Sequence, residues 1–202
     1  MQRILNIPFV DNSQFEHQCQ AYVQLLSYWN SSINLVSARD VDNLLTRLIE
    51  QSVKPLTFFD IPQHARMLDV GSGAGIPALP LKFARQNLQL TLLEPRRKKC
   101  LFLSRAAEEL HLDDVEVVRG RLEDFCVRAD WQGAFDLITT RGTGSAGKLF
   151  PFFEPLIKPG GMCWIYKGLA ARRELKELEL LTPHPVRLLE LDKKMSLIVV
   201  QL

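Results

Sequence analysis

A chain of 202 residues with 47% hydrophobic content is long enough for one well-buried core and too short for two ordinary domains. Its formal net charge of +2 excludes an overall polycationic character, and no stretch approaches the roughly 18 consecutive apolar residues of a membrane span. Met1–Val10 lacks the basic-then-apolar layout of a signal peptide, so the expectation is a cytoplasmic protein, monomeric and without membrane contact.

Two helical patterns come first. Gln14–Trp29 carries Phe15, Tyr22, Leu25, Leu26 and Trp29 near i, i+3, i+4 spacing, and Val41–Phe59 repeats the pattern with Leu44, Leu45, Leu48, Ile49 and Val53 behind an Asp40 N-cap. They predict a helical extension over residues 1–60. From Ala65 onward, strands at Arg66–Val70, Gln89–Glu94, Val115–Val118, Phe135–Thr139 and Gly161–Tyr166 alternate with helices. The helices fall at Ile76–Arg85, Arg96–Leu110, Ala146–Ile157 and Leu169–Leu181. Such alternation implies a parallel, doubly wound α/β sheet with helices on both faces, Rossmann-like in plan. Val186–Leu191 and Met195–Leu202 flank the turn Asp192-Lys193-Lys194 and predict an antiparallel hairpin at the C-terminal edge.

The segment Asp69-Val70-Gly71-Ser72-Gly73-Ala74-Gly75-Ile76-Pro77 joins the first predicted strand to its helix. Gly71, Gly73 and Gly75 let the backbone turn tightly and approach a ligand at the carboxyl end of the strand. A dinucleotide loop would hold a pyrophosphate on the amides of the helix N-terminus. Pro77 and Pro80 remove amides there, and no Lys-Ser/Thr pair follows the glycines, as a triphosphate-binding loop would require. A nucleoside cofactor without phosphate fits better: the cationic sulfonium of S-adenosylmethionine is favoured by an acid such as Asp69. Glu94 ends the second strand 19 positions after Gly75, where a carboxylate accepts hydrogen bonds from ribose hydroxyls. In Arg119-Gly120-Arg121-Leu122-Glu123-Asp124-Phe125, Leu122 suits one face of an adenine ring, and the backbone near Glu123 its edge.

These segments resemble the RsmG family, also called GidB, bacterial methyltransferases that modify N7 of a guanine in 16S ribosomal RNA. The resemblance runs from about Trp29 to Gly168. It rests on Trp29-Asn30, Asn34-Leu35-Val36-Ser37, the glycine loop with Pro77, Pro80 and Leu81, the loop from Gly120 to Phe125, Arg141, and Lys167-Gly168. It implies a class I methyltransferase sheet, one methyltransferase domain over 1–202 with its cofactor-binding core at 65–202, S-adenosyl-L-methionine as cofactor, and contacts from Gly71, Ile76, Leu122, Glu123 and Arg141. Ribosomal RNA or the small ribosomal subunit is the implied partner. The chain departs from the family where the base is expected to approach. Leu48 and Gln51 stand where a His and an Asp are usual, and Thr140-Arg141-Gly142 where Ser-Arg-Ala is usual.

Guanine N7 holds an in-plane lone pair, so its methylation requires no general base. His17, His64, His111 and His184 are scattered, and Cys19, Cys100, Cys126 and Cys163 show no metal-ligand spacing, so no metal is expected. Arg141 is then the candidate catalytic residue, organising the geometry by holding the cofactor or donating to guanine O6. Lys167 is a candidate phosphate contact, as are the basic runs Arg96–Lys99, Arg119 with Arg121, Arg172-Arg173 with Lys176, and Lys193-Lys194. Two other readings stay open: a methyltransferase of this fold acting on a metabolite or a protein, and a silent cofactor-binding RNA or assembly factor.

Overall fold

The computed structural model describes residues 12–36 and 41–202. Met1–Val10, Ser37 and the Asp40 N-cap lie outside the described residues, as do the side chains of residues 12 and 41–44. Helices α1 (Asn12–Asn30) and α2 (Val41–Val53) precede a 3-10 turn at Lys54–Thr57. Pro55 enters that turn, and because its ring replaces an amide the α-helical ladder cannot continue. The predicted helix Val41–Phe59 is therefore divided.

Strands β1 (Arg66–Val70), β2 (Gln89–Glu94), β3 (Val115–Arg119), β4 (Phe135–Arg141) and β5 (Ile157–Lys167) pair in parallel. The hairpin β6 (Val186–Glu190) and β7 (Ser196–Gln201) completes a seven-stranded sheet in the order β3-β2-β1-β4-β5-β7-β6. The reversed strand β7 pairs with β5 on one side and β6 on the other, so the C-terminal hairpin as a whole makes that edge. Helices α3 (Ala78–Ala84), α4 (Arg97–Glu109), α5 (Leu122–Phe125), α6 (Ala146–Phe153) and α7 (Ala171–Leu181) lie between the strands in chain order.

Strand side chains alternate faces with period two, and this sorts the core into two layers. Met67, Leu90, Leu92, Trp164, Tyr166, Leu197 and Val199 face one way, against α1 through Tyr22 and Leu26, α2 through Leu45 and Ile49, α3 through Leu79 and Phe83, and α4 through Phe102. Leu68, Val70, Leu93, Cys163, Ile165, Ile198 and Val200 face the other, against Phe150 and Phe153 of α6 and Leu178 of α7. The N-terminal helices thus cover the same face as α3 and α4. Two buried phenols fasten them there: Tyr22 Oη donates to Ala74 O at 2.6 Å, and Tyr166 Oη donates to Ser52 O at 2.8 Å.

The strand order reverses between β1 and β4, since β1 leads outward to β2 and β4 leads the opposite way to β5. In an open α/β sheet that reversal leaves a crevice beyond the carboxyl ends of the strands. The glycine loop after β1 and Arg141 at the end of β4 both stand at its mouth.

Candidate active site

The amides of Gly71 and Ser72 donate to Leu93 O at 2.8 and 3.2 Å, tying the loop across to the end of β2. The Glu94 carboxylate adds a second tie. Its Oε2 accepts from Gly73 N at 2.9 Å and its Oε1 from Arg96 N at 3.0 Å. Glu94 therefore clamps the glycine loop to the β2–α4 turn while lining the cleft, and each carboxylate oxygen keeps acceptor capacity beyond one bond. The glycines are not equivalent. Gly71, Gly73 and Gly75 all have positive φ, but a Cβ on Gly71 would run into Thr143, whereas one on Gly75 would come within 2.6 Å of Leu79. Gly75 is thus required for packing and Gly71 for loop contact, whereas a Cβ on Gly73 would meet only ordinary contacts, the nearest Lys99 Nζ at 3.6 Å.

Two cavities join along the loop. The larger, about 400 Å³, is lined by Gly71, Gly73, Ile76, Glu94, Arg141 and Gly142, with Leu35, Val36 and Leu48 from the N-terminal segments. The smaller, about 170 Å³, lies among Val70, Leu93, Leu122, Glu123 and Leu149. Gly71, Pro95 and Thr143 line both, so they form one cleft. An apolar slot beside a carboxylate-bearing chamber is the shape that a purine nucleoside with a charged side arm requires. The expected site residues Gly71, Gly73, Ile76, Glu94, Leu122, Glu123 and Arg141 all line it. At the start of α3, Pro77 and Pro80 carry no amide and Leu79 N already donates to Gly75 O at 2.7 Å, which leaves little for a phosphate.

Asp69 sits behind the loop, fully buried. Its Oδ1 accepts from Thr139 Oγ1 at 2.6 Å, and its Oδ2 has no partner. Burial is the main reason that its carboxyl is pushed up to about 6, against the lowering effect of Thr139 and Ser72. Arg141 Nη2 donates to Gln51 Oε1 at 2.6 Å, its guanidinium lies 5.8 Å from the Tyr166 ring centre, and its Nη1 is buried without a partner. Asp69 lines neither cavity, so of these two orphaned atoms only Arg141 Nη1 belongs to a residue of the cleft, where a donor fits the carboxylate of the methionine part of S-adenosylmethionine.

Other expectations resolve differently. Lys167 bonds Gly144 O and forms an ion pair with Glu174 at 3.0 Å, both side chains at least nine-tenths buried, while Glu174 Oε2 also accepts from Ala146 N at 2.6 Å. It fixes the loop after β4, so it is committed to the fold and not held out to an RNA phosphate. Exposed Arg96, Arg97 and Lys98, with Lys99, line a groove with Ser32, Ile33 and Asn34 that adjoins the cleft through Arg96 and Lys99. None of the four histidines lines the cleft, and His184 instead lies 3.2 Å from Glu154. Among the described residues no group of three or more His, Cys, Asp or Glu could hold a metal ion. Sequence reasoning missed the connections made by Tyr22, Gln51 and Asp192, because they link residues 52 to 141 positions apart. The departure at Gln51 was the one available signal.

The family model described as GidB, rRNA small subunit methyltransferase G, matches residues 15–190. The ribosomal RNA small subunit methyltransferase G of Streptococcus pyogenes serotype M2 (strain MGAS10270) is 34% identical over 170 residues, covering 84% of this chain and 72% of that protein. The protein of the same name from Moorella thermoacetica is 34% identical over 156 residues, covering 77% and 65%. Among solved structures, a SAM dependent methyltransferase from Aquifex aeolicus superposes with a TM-score of 0.64 at 16% identity, covering 89% of this chain and 97% of that one. That likeness establishes the Rossmann-like methyltransferase fold.

Proposed function

Because the chain belongs to the GidB family of rRNA small subunit methyltransferase G, we propose that it transfers the methyl group of S-adenosylmethionine to N7 of a guanine in small-subunit ribosomal RNA. The observation that carries this reading is the joined cleft at the β1/β4 reversal, where all seven expected site residues meet. When bound, the cofactor supplies a methyl group activated by its positive sulfur. The chain's residues then bind and align. Glu94 offers its remaining acceptor capacity to the ribose, and Val70, Leu93, Leu122 and Leu149 enclose the adenine. Arg141 lines the cleft and keeps Nη1 unpaired, so its guanidinium has a donor left for an oxygen of the cofactor or of the base.

The titratable groups lining the larger cavity are Glu94, Arg96, Lys99 and Arg141, and Glu94 already serves two amides. Guanine N7 suits such a site, since its lone pair is available without proton removal. Alignment of N7, methyl carbon and sulfur is then the main catalytic contribution, up to about 7–11 kcal/mol. Residues 1–202 act as one methyltransferase domain in this reading. The 65–202 core binds the cofactor, and helices α1 and α2 close the cleft, as the bonds at Tyr22, Gln51 and Ser52 support. The protein works in the cytoplasm as a monomer without a metal. Among the described residues no helix is long and apolar enough to cross a membrane.

A specific observation favours a second reading, a shifted methyl acceptor. Leu48 and Gly142, which depart from the family pattern, both line the cleft. Incubation with methyl-labelled S-adenosylmethionine and 30S subunits, free RNA or a protein extract separates the two. Label in 16S RNA is expected. Label confined to the protein extract or to small molecules would refute the RNA reading.

A further inference from the structure

We propose that Gln51 and Asp192 form a relay that positions Arg141 while leaving it without a directly paired carboxylate, ready for an incoming oxyanion. Gln51 lies on α2 and is 4% exposed. Its Oε1 accepts from Arg141 Nη2 at 2.6 Å, and its Nε2 donates to Asp192 Oδ2. The guanidinium can only donate and the carboxylate can only accept, so the amide has one permitted orientation. Asp192 is itself fixed. Its Oδ1 accepts from Lys194 N at 2.7 Å and Met195 N at 2.8 Å in the β6–β7 turn. Burial pushes its carboxyl up, but the Lys194 amide, Gln51, the Met195 amide and Arg47 outweigh that and hold it below the usual range. The relay thus ends on a charged, anchored acceptor.

The consequence lies in what Arg141 does not meet. Among the described residues no carboxylate is within ion-pair distance of it. Asp192 is bonded to it only through a neutral amide; burial and then Arg47 disfavour its charge, while Tyr166 and Asp192 favour it from a distance. A carboxylate at position 51 would neutralise the guanidinium and repel Asp192. An amide sets the guanidinium's direction and leaves its charge intact, with Nη1 buried and unpaired in a side chain that lines the cleft. A half-buried cation held this way is built to receive an oxyanion. Two oxyanions enter this cleft in the proposed reaction, the carboxylate of the cofactor and a phosphate of the RNA. Gln51 and Asp192 are positioning residues, acting only through Arg141.

The inference rests on the methyltransferase reading, and its main test needs no methyl acceptor. Calorimetry on the full chain compares S-adenosylhomocysteine with its decarboxylated analogue. Gln51→Leu removes both bonds, and Gln51→Glu keeps the size of the side chain while supplying the neutralising charge. Each is expected to cut the preference for the carboxylated ligand about tenfold, a difference of one decade in Kd, with the decarboxylated ligand bound as before. That result assigns the oxyanion to the cofactor. An unchanged preference with a raised KM for 30S subunits and unaltered kcat assigns it to an RNA phosphate. Equal weakening of both ligands would mark Gln51 as merely structural and overturn the relay, as would variants that match the parent in both preference and KM. Absence of label in ribosomal RNA would overturn the acceptor reading alone, since the ligand preference is measured without RNA.

Discussion

Gly71→Ala tests the geometry of the loop at its tightest point. Gly71 has φ +71°, and an added Cβ would collide with Thr143 Cγ2, with Thr143 Cβ next at 3.3 Å. The left-handed backbone costs an alanine about 1–2 kcal/mol, and overpacking against Thr143 about 1–3 kcal/mol more. A loss of about 2–5 kcal/mol results, which for a chain of this length lowers Tm by about 4 °C or more. Thr143 cannot simply swing away, because its hydroxyl bonds Thr140, which in turn donates to Val70 O at 3.0 Å. Thr143→Ser removes the colliding methyl group and keeps the hydroxyl. The double variant Gly71→Ala/Thr143→Ser is therefore expected to regain the packing part and retain only the backbone strain. Thermal unfolding with calorimetry of S-adenosylhomocysteine reads both effects, and cofactor affinity should follow the same order as stability. A double variant no more stable than Gly71→Ala, or a single variant equal to the parent, would refute the reasoning.

Tyr22→Phe removes the hydroxyl that donates to Ala74 O, leaves a buried carbonyl unpaired, and should cost about 1–3 kcal/mol. It should also weaken cofactor binding, and an unchanged Tm together with unchanged affinity would show that α1 does not support the loop. Arg141→Ala should reduce turnover at least about tenfold while the fold survives, on the scale of one charged hydrogen bond. Arg141→Lys should not restore it, because an ammonium cannot serve Gln51 and the cleft with one planar fork, and full rescue by lysine would contradict this. Asp69, raised to about 6 from 3.8, binds its proton more tightly in the folded chain than in the unfolded one. Its carboxylate therefore destabilises the fold above pH 6, and that penalty lifts as pH falls through about 6 toward 3.8. Tm of Asp69→Asn minus that of the parent should shrink from pH 7 to pH 5, and a constant difference would argue against the shift.

Much of the architecture was legible because local chemistry enforces it. Strands such as Gln89–Glu94 alternate their apolar side chains between the two core layers, and the glycine loop can be made by few other residues. The elements that shifted did so at prolines or through tertiary pairing. Pro55 divides α2 from its 3-10 turn, α3 begins only after Pro77, and β5 reaches back to Ile157 because that residue pairs with Phe135. The short helix α5 leaves no mark in the sequence, because its four residues are too few to show a period.

At the site, residue identity was legible and connection was not. Glu94 stood out as a strand-end acid, but its two bonds to the backbone depend on a neighbouring loop that no spacing rule reveals. Lys167 was recognisable as a strand-end lysine, and only the fold shows that Glu174, on the following helix, claims it. Gln51 was visible only as a departure. The structure turns it into the middle of a relay spanning α2, β4 and the β6–β7 turn.

The atom that receives the methyl group can be identified directly. Small subunits modified by the protein with labelled S-adenosylmethionine can be digested to nucleosides and the labelled one identified by chromatography and mass, while the intact modified RNA is tested for scission by borohydride and aniline, which cleave at 7-methylguanosine. A single labelled nucleoside, 7-methylguanosine, is expected, formed at a rate that is flat across neutral pH because attack by the N7 lone pair needs no enzyme base. Label on a ribose hydroxyl, on another ring nitrogen or on a ribosomal protein would contradict it. So would a rate that rises through a pKa near 7 and loses that rise when one histidine is replaced.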